Sequence, residues 1–189
     1  MVTHVIRQAV PADFPRLREV EVLAGAAFRD VGMAWVAEDE PPSAEVLGRF
    51  AAAGRAWVCE VARAGGHDTA GVGGQGTAVV GGRGTAAAGG QGTVGAYLLA
   101  ERVDGRVHVA QVSVDPAYRG MRLGAALIDH VDDGGGITLT TFADVPWNAP
   151  HYRRLGFRVV EATGGLALVV RREAALGLDP ATRVCMIRP

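Results

Sequence analysis

Thirteen of the chain's 27 glycines fall between positions 65 and 95, leaving 14 for the other 158 residues. They form a repeat with a period of eight: Gly65-Gly-His-Asp-Thr69 returns as Gly73-Gly-Gln-Gly-Thr77, Gly81-Gly-Arg-Gly-Thr85 and Gly89-Gly-Gln-Gly-Thr93. The spacers, such as Ala78-Val-Val80 and Ala86-Ala-Ala88, are small. No side chain there is large enough to offset the entropy of ordering so much glycine. The stretch 64–94 is therefore expected to be an inserted, solvent-exposed arm, flexible or at best a loose hairpin and usable as an interaction or assembly element, within a single domain spanning 1–189. Gly71, Gly73 and Gly76 spell G-x-G-x-x-G, but that fingerprint has meaning only between a strand and a helix, and no helix follows.

On either side of the arm the chain parses into strands and helices. Val5–Ala9 reads as a strand, and Asp13 as the N-cap of a helix across roughly 14–28 whose apolar face is Leu17, Val20, Leu23, Ala24 and Ala27. Ser43 caps a second helix through Val46, Leu47 and Phe50, ending near Gly54. Ala56–Ala62 and Thr93–Leu99 read as a hairpin pair, and Asp104-Gly105 as a tight turn into a strand over Val107–Val114. A helix from Leu123 to the Gly134-Gly-Gly136 stop follows, then a strand over Ile137–Phe142, a short helix around Pro150–Leu155 and a strand near Phe157–Glu161. Strand character is also expected at Leu166–Val170 and Arg183–Ile187. The fold class is mixed α/β (α+β).

Composition narrows what such a domain can do. Nineteen basic against twenty acidic residues give a formal net charge of −1, which argues against a nucleic-acid or anionic-membrane footprint. Cys59 and Cys185 cannot supply a zinc site of the usual ligand count, and no metal is expected. Both read as core residues rather than nucleophiles. No apolar run reaches the roughly 18 residues of a membrane helix, and the opening Met1–Arg7 lacks a signal-peptide layout, so a cytoplasmic location is expected.

The chemistry-bearing stretch is Gln111-Val-Ser-Val-Asp-Pro-Ala-Tyr-Arg-Gly-Met-Arg-Leu-Gly124, a strand stopped by Asp115-Pro116 and a loop that opens a helix near Leu123. Such a loop gathers free backbone N–H groups and the positive end of a helix dipole, a ready site for a pyrophosphate. Arg119 and Arg122 add charge-assisted donors. A second stretch, Asp144-Val-Pro-Trp-Asn148 through Tyr152-Arg-Arg-Leu-Gly-Phe157, places Asn148 as the cap of a short helix that projects Tyr152.

Together these stretches resemble the GNAT superfamily of acetyl-CoA-dependent N-acetyltransferases. Arg119-Gly-Met-Arg-Leu-Gly124 is similar to its R/Q-x-x-G-x-G/A loop, and Asn148 with Tyr152–Phe157 to its N…Y-x-x-L-G-F segment. Ile6–Asp13 is similar to its usual first strand and helix entry. The resemblance implies a mostly antiparallel mixed sheet flanked by helices, with acetyl-CoA lying between two diverging strands, here 107–114 and 137–142. It further implies that Val112, Ser113 and Val114 hold the pantetheine arm by their backbone. The N–H groups from Arg119 through Gly120, Met121, Arg122, Leu123, Gly124 and Ala125 would cradle the pyrophosphate. Asn148 would touch the coenzyme, and Tyr152 would act as general acid at its sulfur. The acceptor would be a small-molecule amine or an exposed amino group of a protein, and a homodimer is common in the family.

Two positions depart from the family pattern. Arg122 stands where glycine is common, and Gln111 where many relatives carry a glutamate base. An alkyl amine of pKa about 10.4 is neutral in only about one molecule per few thousand at pH 7, so a proton acceptor is needed. Glu21, Asp30, Asp144 and His151 are the candidates. The missing glutamate keeps a non-catalytic acyl-CoA-binding module open as an alternative, and a longer acyl donor is a third reading. Phe28, Met33 and Trp35, near Glu38-Asp-Glu40, are candidate walls of an acceptor pocket.

Overall fold

The computed structural model describes residues 3–62 and 92–189, so positions 64–91 of the glycine-rich arm lie outside the described residues; 92–94 are already strand. The elements run β1 (His4–Gln8), α1 (Phe14–Gly25), α2 (Ala34–Ala37), α3 (Ala44–Ala52), β2 (Ala56–Ala62), β3 (Gly92–Val103) and β4 (Arg106–Val114). They continue with α4 (Leu123–His130), β5 (Ile137–Phe142), α5 (Ala149–Arg154), β6 (Arg158–Val160), α6 (Gly164–Ala175) and β7 (Arg183–Arg188). The seven strands form one sheet in the order β1-β2-β3-β4-β5-β7-β6. Every pairing is antiparallel except β4 with β5.

Helices cover both faces. Leu17 and Val20 of α1 and Leu47 of α3 pack on Val58, Tyr97 and Leu99. On the opposite face Leu123, Leu127 and Ile128 of α4 pack on Leu98, Val107 and Val109. Leu23, expected on the apolar face of α1, is instead 39% exposed, because the side of α1 that meets the sheet runs through Leu17, Val20 and Glu21 and leaves Leu23 beside it. Ser43 caps α3 as expected, its hydroxyl accepting from Val46 N–H at 3.3 Å.

Asp13 is not an N-cap. A 3-10 turn at Pro11–Asp13 runs straight into α1, and the Asp13 carboxylate reaches back to Val10 N–H at 2.8 Å while pairing with Arg7. It therefore holds the far position of a capping box.

The stretch Leu166–Val170, expected as a strand, is part of helix α6. Five apolar residues in a row do not distinguish the two states. The helix wins because Leu166 and Val169, three apart, both bury against Val103 and Cys185. Its start is held from outside: Asp104, in the β3–β4 turn, accepts the Gly165 N–H through both carboxylate oxygens, at 2.8 and 3.1 Å.

Candidate active site

The sheet opens where its one parallel pair gives out. β4 and β5 pair only at Val107–Ile137, His108–Thr138 and Val109–Leu139. Beyond that point β4 stays with β3 as far as Val114, and Thr140–Phe142 stay with β7. The parting begins at a bulge. Leu99 faces Gln111 and Ala100 faces Val109, so Ala110 has no partner on β3. One extra residue reverses the alternation of a strand. Thus Val107, Val109, Val112 and Val114 all meet the α4-side core, while Gln111 and Ser113 turn towards α1.

A second bulge, at Gly95 on β3, tightens the same corner: Cys59 pairs with Ala96 and Glu60 with Val94. A methyl on Gly95 would come within 2.8 Å of Tyr118 Cδ2 and 3.1 Å of Leu123 Cδ1. The Gly95 carbonyl accepts the Asp115 N–H at 2.9 Å, and the Asp115 carboxylate accepts the Ala117 N–H at 2.8 Å. Arg16 of α1 ties this bend down, bonding the Asp115 carboxylate and the Val94 carbonyl.

The loop then turns through two left-handed residues, Gly120 at φ 82° and Arg122 at φ 58°. The family position usually held by glycine thus does require glycine-like backbone here, and Arg122 adopts it at a cost of roughly 1–2 kcal/mol. Ala126 N–H, bonded to the Arg122 carbonyl at 3.0 Å, closes the first turn of α4. The N–H groups of Leu123, Gly124 and Ala125 therefore have no partner within the helix.

One cavity of about 1020 Å³ joins the strand opening to this loop. Its wall includes Val112, Ser113, Val114, Arg119, Gly120, Arg122, Leu123, Gly124, Ala125, Asn148 and Tyr152. Met121 is the exception: its side chain packs against the α4-side core, so only its backbone could serve a ligand. Asn148 stands at the start of α5 but makes no side-chain cap, at φ −106° and ψ −111°, which corrects the expected cap and leaves its amide to the cavity. Tyr152 meets Phe157 edge-on at 5.7 Å. Burial pushes its phenol up to about 12, although the positive charge of Arg183 opposes the rise.

The cavity is electrically divided. Arg119, Arg122 and Arg154 line it near the loop, whereas Glu21, Asp30, Asp39 and Glu40 line the side formed by α1, α2 and the segments after them. Of the expected acceptor-side residues, Phe28 is in the wall, edge-on to Phe142 at 5.7 Å and to Trp147 at 5.6 Å. Met33 and Trp35 are not in it. Of the candidate bases, Glu21, Asp30 and His151 are in the wall and Asp144 is not. Burial and the nearby Arg154 and Arg122 lower the His151 pKa.

Sequence reasoning missed how Glu21 is held. Its carboxylate accepts from Gln111 Nε2 at 2.7 Å, from the Ser113 hydroxyl at 2.5 Å and from the Tyr97 hydroxyl at 2.7 Å. A signal was present, since Leu17 and Glu21 lie one turn apart on the face of α1 that meets the sheet. It also missed the far wall, where Arg183 makes a two-bond pair with Glu173 at 3.1 Å and a bond to Thr140 at 3.1 Å.

A strand pair that parts over a helix start, with a tyrosine lining the same cavity, defines the class: a mixed α+β domain whose sheet is split open on one side. The Acetyltransferase (GNAT) domain family matches residues 30–159, and the chain belongs to that family. Its fold is shared with the ribosomal-protein-S18-alanine N-acetyltransferase of Escherichia coli at 15% identity and a TM-score of 0.55, covering 99% of this chain and 94% of that one. It is also shared with the PaiA N-acetyltransferase of Thermoplasma acidophilum, solved in complex with coenzyme A, at 14% identity and a TM-score of 0.57, covering 98% of each chain. A GNAT-family acetyltransferase of Listeria monocytogenes aligns at 10% identity and a TM-score of 0.59, over 98% of this chain and 94% of that one. At these identities the likeness is one of fold.

Proposed function

We propose that this acetyltransferase moves an acetyl group from acetyl-CoA directly to a primary amine, with both substrates bound at once. The observation that carries the reading is the single cavity joining the gap between β4 and β5 to the start of α4. The free amides at Leu123–Ala125 and the charges of Arg119 and Arg122 suit the pyrophosphate. Val112–Val114, on the unpaired side of β4, offer peptide groups to the pantetheine arm and a donor for the thioester carbonyl. Asn148 borders the same passage.

Tyr152 supplies the proton for the departing thiolate. A phenol at about 12 lies about 3.5 units above a free thiol, so full transfer would cost roughly 5 kcal/mol. The same desolvation raises the proton affinity of the thiolate, which narrows that gap. Both cysteines are buried, and burial pushes the Cys59 thiol up to about 11, so neither is poised to carry an acyl group. Direct transfer follows.

The acceptor side favours a cation, because Glu21, Asp30, Asp39 and Glu40 face it. The acceptor is thus a small amine or an amino group displayed by a protein. The test is thiol release from acetyl-CoA across a panel of amines and peptide N-termini, beside calorimetric titration with CoA. Turnover with at least one amine is expected. CoA binding without turnover on any of them would leave only a binding module, and no binding heat would remove the reading altogether.

A further inference from the structure

Resting on that reading, we infer that Glu21, reaching in from α1, is the catalytic base, and that it replaces the carboxylate missing from the strand at Gln111. The placement is specific. Gln111 and Ser113 are the two residues that the Ala110 bulge turns towards α1, immediately past the last β4–β5 pair. Both donate to Glu21, at 2.7 and 2.5 Å. The carboxylate therefore stands at the mouth of the gap, beside the strand segment that meets the thioester, and it lines the cavity.

Gln111 and Glu21 also explain each other. A glutamate at 111 would set two carboxylates within hydrogen-bond distance, where one would stay protonated. An amide at 111 donates instead, and fixes the neighbouring carboxylate in direction. Tyr97, fully buried, donates to the same oxygen as Ser113, at 2.7 Å. Ser113 and Tyr97 share Oε2, so the acceptor site left for the cavity is on Oε1, beside Gln111.

The proton inventory sets the step. The acceptor ammonium first loses one proton to bulk water, because passing it directly to a carboxylate would be uphill by about 6 pKa units. The neutral nitrogen attacks the acetyl carbon and forms the C–N bond. The nitrogen in that adduct is positively charged and far more acidic than the starting ammonium. Glu21 takes its proton as the C–S bond breaks, and Tyr152 protonates the sulfur. Products are the acetamide and free thiol. Glu21 then returns its proton to solvent, and Tyr152 is reprotonated from solvent.

The test compares wild type, Glu21→Gln and the exchanged pair Glu21→Gln/Gln111→Glu, using an amine that wild type acetylates. Glu21→Gln should lower kcat about 100-fold or more with the KM for acetyl-CoA and the CoA affinity unchanged. The amide retains an acceptor for Tyr97, so thermal melting should stay close to wild type. The exchanged pair, which restores a carboxylate at the same spot, should recover at least about tenfold of the loss. A Glu21→Gln enzyme within about threefold of wild-type kcat overturns the inference. So does an exchanged pair no faster than the single variant, or a loss confined to KM. A wild-type protein inert towards every amine overturns the acyl-transfer reading beneath it, and Glu21's role with it.

Discussion

Gly124 opens α4 directly against Val114: a methyl added at Gly124 would meet Val114 Cγ2 at 3.3 Å and Val112 Cγ2 at 3.8 Å. The helix start and the gap-lining strand are therefore in the closest approach their side chains allow. The free amides of α4 sit where they do because nothing larger than hydrogen stands between them and β4. Gly124→Ala asks Val114 to give by a few tenths of an ångström and gains helix propensity, so it should change the KM for acetyl-CoA by no more than about threefold. Gly124→Val must push the helix outward at a cost of about 2 kcal/mol, and should raise that KM about 30-fold. Steady-state kinetics on both variants checks the order. A valine variant with wild-type KM would mean the helix start does not touch the coenzyme.

Arg122 combines a strained backbone with a useful charge, and two variants separate them. Arg122→Gly removes both, so its stability should rise by about 1 kcal/mol as the left-handed turn relaxes. Arg122→Ala keeps the strain and loses the charge, so its stability should not rise. Both should weaken CoA binding by a similar factor, about tenfold at low salt, with the difference shrinking as salt screens the cavity. Urea unfolding beside calorimetry gives the two readouts. If the glycine variant were no more stable than the alanine variant, the φ of 58° at Arg122 would carry no cost.

Tyr152→Phe should lower kcat about 100-fold and leave the KM for acetyl-CoA within about twofold, since the ring that packs on Phe157 is kept. Because burial holds the phenol up to about 12, its ionisation should produce no fall in kcat as the pH rises to about 10. A pH profile of wild type with an amine in excess reads this directly. An alkaline fall near pH 9 that disappears in the phenylalanine variant would contradict the assignment of the shifted phenol.

Much of this site was legible in sequence because its parts are local. The Asp115-Pro116 stop, the loop glycines and the Gly156 that ends α5 each act within a few residues of themselves, and the structure sets them where the reading did. The unreadable parts are all pairings between distant segments. The bulges at Gly95 and Ala110 depend on registers between β2, β3 and β4, and a one-residue slip leaves no local mark. Glu21 meets Gln111 across 90 positions. The helical state of Leu166–Val170 depends on Val103 and Cys185 waiting beneath it, and Asp104 caps that helix from 61 positions away. The residue type of Asn148 predicts a cap, but at φ −106° and ψ −111° its side chain makes no cap bond.

His108 gives the fold a pH dependence of its own. It is 1% exposed and bonded through Nδ1 to the Thr138 hydroxyl at 3.0 Å, within the short paired stretch of β4 and β5. Burial lowers its pKa from 6.5 to about 4, the charge of Glu101 opposing and those of Arg172 and Arg183 assisting. Between those two values the unfolded chain binds a proton that the folded chain refuses. The contribution of this residue is therefore fully present above about pH 6.5 and is lost as the pH falls towards 4. The loss amounts to about 3 kcal/mol at most. Unfolding free energies from urea curves should drop between pH 7.5 and 4.5 by about 2.5 kcal/mol more in wild type than in His108→Asn, which can still bond Thr138 but does not titrate. Because these strands part just beyond His108, the hydrogen-exchange protection factors at Val107–Val109, corrected for the intrinsic pH dependence of exchange, should fall over the same interval more in wild type than in His108→Asn. Equal pH slopes for the two proteins would show that His108 is already protonated in the folded state at pH 4.5.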